Sequence, residues 1–172
     1  GDRNPLPRRS VELAAAYGAR LADAVDSVLD EGALRPITGT LDTRYHEVPL
    51  DLAAIPDRDH WKRVMANGDR VEQLRAGNLL AGLDRDGRLD DRYPHYPVQL
   101  WRLGEDGPRW VFLGGEVVVD YALRLKREFG RDTTWVAGYS NDVMAYIPSR
   151  RVLAEGGYEG ASSMIYYGLP AP

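Results

Sequence analysis

Residues 110–140 read as a strand, two glycines, an acid, a helix and a second strand. WVFL (110–113) is a short apolar run, Gly114 and Gly115 follow, and then comes Glu116. VVVDYALRLKREFG has helical spacing and stops on Gly130, and TTWVAGYS (133–140) reads as the next strand, taken as a central one. Strands alternating with helices predict an α/β, mixed α+β layered domain, a sheet flanked by helices. If the two strands are parallel and adjacent, Glu116 and the 141–146 loop meet on the carboxyl rim, where open sheets place ligands. Glu116 has two readings at this point. It is either an acid that compensates the dipole of a first helical turn, or a ligand or catalytic group displayed at the end of a strand.

The rest of the chain fits that frame. Ser10 is a plausible N-cap for a helix over 11–32, whose Val11, Leu21, Val25, Val28 and Leu29 share a stripe ended by Gly32. Residues 35–52 have β-branched, alternating character and predict one or two strands. A helical region from Asp57 breaks near Asn67-Gly68 and reads as a surface hairpin. PVQLWRLGEDGPRWVFLGG (97–115) predicts a β-hairpin turning at GEDG. LDRDGRLDD (83–91) carries four aspartates, but it lacks the later ligands and closing glutamate of an EF-hand and reads as a solvated turn.

Composition narrows the chemistry. The 172 residues carry a net charge of −4, which argues against a general grip on nucleic acid. With no cysteine there is no disulfide, thiolate nucleophile or Cys-zinc cluster. No apolar run reaches the 18 or so residues of a membrane span. His46, His60 and His95 show neither HxH nor HExxH spacing, and no GxSxG elbow occurs. The glycine in first place and the stop at GLPAP predict an internal piece of a longer protein. What remains for chemistry is 138–168, with Tyr139, Tyr146 and Tyr158 beside Asn141, Asp142, Glu155 and Glu159. Each tyrosine taken singly is also an ordinary half-buried ring with its hydroxyl satisfied.

GGEVVVDYALRLKREFG, followed by TWVAGYSNDVMAYIPSRRVLAEGGYEGASSM, resembles the neutral/alkaline (non-lysosomal) ceramidase family. The shared pattern is a glycine-glutamate before a helix ending like LRLKR, a strand ending G-x-x-N, a tyrosine a few residues on, and Y-E-G/A-x-S. It covers 112–163, and the opening GDRNP is similar to that family's GDVSPN element. The resemblance implies that 1–172 is a single domain, the C-terminal portion of a catalytic domain cut at both ends. Glu116 and Tyr146 would be zinc ligands, and Tyr158 would contact the scissile amide. Asn4 and Asn141 would lie on the substrate side.

The family's two histidine ligands lie upstream of GDVSPN, hence before residue 1, so these residues alone would be inactive. Asn4 stands where the family has a serine implicated in catalysis, and Leu6 where it has an asparagine. That departure implies a divergent branch. The implied activity is zinc-dependent hydrolysis of the N-acyl amide of ceramide-like lipids to fatty acid and amine. It would take place outside the cytoplasm (secreted, periplasmic or at the cell surface), with no transmembrane segment and peripheral contact with membranes. Two alternatives stand beside it: a non-catalytic relative that binds a lipid or glycan, and a different metal-dependent hydrolase on the same scaffold.

Overall fold

The computed structural model describes residues 9–32 and 34–172. The chain divides into two compact units, Gly1–Thr38 and Gly39–Pro172. In the first, helix α1 (Val11–Asp30) starts at Ser10, whose hydroxyl accepts from the Leu13 amide at 3.1 Å. None of its residues is buried, so the apolar stripe read from the sequence is exposed.

The second unit is a mixed α/β layer. Strand β1 (Leu41–Asp51) pairs antiparallel with β2 (Arg92–Leu103), and β2 pairs antiparallel with β3 (Arg109–Leu113). After β3 come a two-residue strand β4 (Glu116–Val117), helix α4 (Val119–Phe129) and strand β5 (Thr134–Ala137), which runs parallel to β3. The sheet order is β1-β2-β3-β5. The strand after the helix is therefore an edge strand and not a central one. Its partner β3 has its other side occupied by the hairpin strand β2, which leaves β5 only the outer position.

Period-two alternation sorts the sheet's faces. Val98, Leu100, Val111, Leu113 and Val136 face Tyr121 and Leu125 of α4 and form the core with Tyr96 and Ile147. Burying each such large apolar side chain contributes about 1.5–3 kcal/mol. On the other face Trp101, Trp110 and Trp135 stand in one lateral row across β2, β3 and β5. Trp101 and Trp135 are exposed there, and Phe112 packs edge-on to Trp101 at 4.7 Å.

The helical hairpin breaks where the sequence predicts. Helix α2 (Arg58–Asn67) ends at an extended Gly68, and α3 (Arg70–Asp86) begins on a full capping box between Asp69 and Glu72. Trp61, Ala76 and Leu79 are buried between the two helices, and Arg75 stacks over the Trp61 ring at 5.1 Å. The aspartate-rich 83–91 stretch is the last turn of α3, closed by Gly87 in the left-handed conformation (φ 73°), and the turn that follows it. No described helix is long and apolar enough to cross a membrane.

Beyond β5 the chain forms strand β6 (Tyr146–Ile147), helix α5 (Arg150–Glu155), a π-helical turn (Tyr158–Ser162) and helix α6 (Met164–Tyr167). β6 pairs parallel with β4 in a separate two-stranded sheet. This small sheet sets the geometry of the candidate site.

Candidate functional site

The site begins at the double glycine. Gly115 has φ +66°, a conformation L side chains rarely adopt, and a Cβ there would lie 2.6 Å from the Ala145 carbonyl oxygen. That close approach lets the loop after β5 wrap the seam. The Gly115 amide donates to the Asp142 carbonyl at 2.8 Å, and the Glu116 amide to Ala145 at 2.9 Å. In return the Tyr139 amide donates to the Gly115 carbonyl at 2.8 Å, and Ser140 to Leu113 at 3.0 Å. The buried Tyr96 hydroxyl holds the other side of the turn, donating to the Gly114 carbonyl at 3.0 Å.

Glu116 consequently lies in strand β4, before the helix. Helix α4 starts at Val119, and its first-turn acid is Asp120. Dipole compensation is thus the work of Asp120, whose carboxylate is held below the usual range first by hydrogen bonds from Arg151 and Ser149.

Glu116 and Tyr146 are register partners across the β4–β6 pair. The thirty positions between them are closed by α4, β5 and the wrapping loop. The carboxylate of Glu116 hydrogen-bonds two phenols, Tyr146 and Tyr139. It raises both pKa values, with that of Tyr139 pushed up to about 12, because a hydrogen bond to a carboxylate favours the neutral phenol. Tyr158 meets the Tyr146 ring edge-on, with centroids 5.4 Å apart, and Tyr167 meets it at 6.4 Å. Tyr166 lies 6.3 Å from Tyr158.

The structure thus brings together Glu116, Tyr146 and Tyr158. Asn141 takes another direction: its side-chain amide donates to Gln99 Oε1 of β2 at 3.2 Å. Asn4 lies outside the described residues. The histidines sit on separate elements, with His95 Nδ1 2.9 Å from Glu47 Oε2 and His60 packed edge-on to Trp61 at 4.9 Å.

Tyr139, Tyr166 and Tyr167 are the members of the group that sequence reasoning did not assign. One signal was available, since five of the ten tyrosines fall between 138 and 168. A second signal is visible only in the backbone. Tyr139 and Asn141 both have positive φ, at 54° and 68°. Strain of this kind in non-glycine residues gathers at functional sites.

The loop that carries this strain is pinned from the side. The Tyr93 hydroxyl donates to Asp142 Oδ2 at 2.5 Å, and that bond is the main reason the Tyr93 pKa rises from 10.0 to about 12. The folded protein then holds this proton more tightly than the unfolded chain does. Stabilisation is complete below pH 10 and is lost as pH rises through about 12. Tyr93→Phe is expected to make the fall of the urea midpoint over that interval shallower. An unchanged slope would show that the bond contributes nothing.

No protein-family model, curated protein or solved structure matches the chain.

The chemistry of the group therefore rests on its donors. A carboxylate oxygen is an ordinary zinc ligand at about 2.0–2.2 Å, and a phenol needs a nearby cation to ionise well below its usual value of about 10. A carboxylate and a phenol, the groups of Glu116 and Tyr146, are two donors of the four that a zinc shell needs. Among the described residues no cluster of three or more His, Asp or Glu exists to complete it.

Proposed function

We propose that the complete protein is a zinc-dependent amidohydrolase of the neutral ceramidase type, cleaving the N-acyl amide of ceramide-like lipids to fatty acid and amine. In this reading residues 1–172 supply half of the metal shell, and two upstream histidines supply the rest. The observation that carries it is the pairing of Glu116 with Tyr146 in register on β4 and β6, with the Tyr158 ring against Tyr146. The resemblance of 112–163 to that family names these same three residues. The β4–β6 pair joins Glu116 and Tyr146 across thirty positions, and the π-helical turn returns Tyr158 to Tyr146 twelve positions on.

Bound zinc would supply a hydroxide at neutral pH and polarise the amide carbonyl. Glu116 and Tyr146 would hold the ion, and the Tyr158 hydroxyl would donate to the oxygen that gains charge as the amide carbonyl becomes tetrahedral. Tyr158 is about half exposed and free to meet substrate from outside. Such an enzyme acts outside the cytoplasm, on lipid presented at a membrane surface.

Asn4, where the family has its serine, favours a second reading, a non-catalytic relative that binds a lipid or glycan. Zinc per chain and hydrolysis of an N-acyl sphingosine, measured on the protein with its natural upstream region, separate the two. About one zinc with turnover supports the enzyme. A folded protein without zinc supports the binding domain. Tyr158→Phe is expected to keep the zinc and lower turnover about 10²–10³-fold, the cost of losing one oxyanion donor. Equal turnover would remove its assigned role.

A further inference from the structure

A cavity of about 450 Å³ opens between the end of β1, strand β6, helix α5 and the chain's last residues. This lies within the roughly 300–1,000 Å³ of small-molecule sites. Its wall is largely apolar, with Leu50, Leu52, Met144, Ile147, Met164 and Leu169 among the lining side chains. Nearly every polar side chain in that wall is committed elsewhere. Asp51 is paired with Arg92 at 3.0 Å, the Tyr121 hydroxyl donates to Pro148 at 3.1 Å, and the hydroxyls of Tyr93 and Tyr146 serve Asp142 and Glu116.

Arg150 is the exception. It is exposed, it stands in the wall of this cavity, and none of the described hydrogen bonds or ion pairs uses it. Arg150 and Arg151 are the first two residues of α5, where positive charge opposes the helix dipole. Arg151 is offset by Asp120 at 2.9 Å and Glu155 at 2.7 Å. Nothing comparable offsets Arg150. An apolar cavity with one uncommitted cation in its wall matches a ligand with a long aliphatic body and one anionic end. The two methionines in the lining are side chains that adapt to a flexible chain.

We infer that this cavity binds a linear aliphatic carboxylate, with the hydrocarbon inside and the carboxylate on Arg150. The inference does not rest on zinc. Where the proposed hydrolysis also holds, the cavity accepts the class of product that the reaction releases.

The test is displacement of a fluorescent fatty acid by saturated acids of eight to sixteen carbons, below their micelle concentrations, on the full protein. Affinity is expected to rise about three- to fourfold per methylene until the cavity is full. The methyl esters are expected to bind about tenfold more weakly than the acids. Arg150→Ala should erase the preference for acid over ester. Leu153→Trp, a bulky change at a partly exposed wall position, should weaken acid and ester together. No displacement, equal binding of acid and ester, or insensitivity to either variant would each overturn the inference. Removal of zinc by a chelator serves as the separating control: loss of zinc with unchanged fatty-acid binding shows that the two proposals stand or fall independently.

Discussion

Glu116→Ala is expected to strip zinc from the complete protein while changing the stability of the metal-free form by about 1 kcal/mol or less. The carboxylate is only partly buried, and its neighbours Tyr139 and Tyr146 can turn their hydroxyls to water once it is gone. The scaffold around it is held by backbone bonds that the substitution leaves alone, such as Glu116 N–H to Ala145 and Val118 N–H to Ile147. Zinc affinity should fall by more than the roughly 10–100-fold that follows loss of an outer-shell partner. Elemental analysis reads the first effect, and thermal melting of both proteins after zinc has been removed by a chelator reads the second. A variant that keeps its zinc would leave Glu116 as an acceptor for two phenols and nothing more.

Gly115→Ala should do the reverse, damaging the fold and the site together. Residue 115 has positive φ, which costs a non-glycine residue about 1–3 kcal/mol. The new methyl would also stand 2.6 Å from the Ala145 carbonyl oxygen and 2.8 Å from Ile147 Cγ1. Both neighbours belong to β6 or its approach, so relief of the clash opens the β4–β6 pair and parts Glu116 from Tyr146. The expected loss is about 3 kcal/mol or more, a fall of roughly 6–12 °C in Tm for a chain of this size. Gly87→Ala is the comparison, because Gly87 also has positive φ but faces open space. If the two variants lose the same stability, the close approach at Gly115 carries no cost of its own.

Much of the fold was legible because local signals agreed with the tertiary ones. The hairpin turning at GEDG, the helix ending at Gly130 and the break at Gly68 each follow from glycine or proline punctuation around periodic runs. The parallel placement of β3 and β5, stated only as a condition in the sequence, is realised. The position of β5 at the sheet edge was not legible. Trp135 and Val136 would suit a central strand equally well, and strand order is set by how the whole chain packs.

The helix start was misread for a related reason. Three valines after Glu116 continue the apolar pattern without a break, yet β-branched residues suit strands. Pairing with β6 draws Glu116 and Val117 out of the helix. The meeting of Glu116 with the 141–146 loop was legible as a condition on the sheet. The pairing of Glu116 with Tyr146 itself and the approach of Tyr158 were suggested only by the family resemblance, because no spacing rule relates residues thirty positions apart. Tyr139 was named among the candidates but given no role, because its place beside Glu116 depends on a left-handed backbone conformation that leaves no mark on composition.

The β4–β6 pair also determines where the chain can be lengthened or cut. The register of Glu116 against Tyr146 is set by short backbone bonds at Gly115, Glu116 and Val118, while residues 130–132 close a loop between α4 and β5. Lengthening such a loop costs little, about 0.6 kcal/mol for each doubling. Extra residues at Arg131-Asp132 should therefore leave the carboxylate and phenol in place, whereas a single insertion between Asp142 and Ala145 would slide one side chain past the other. The same asymmetry makes 131–132 the natural point at which to divide the chain into two polypeptides, with Glu116 on one and Tyr146 on the other, so that each half reports on the return of its partner.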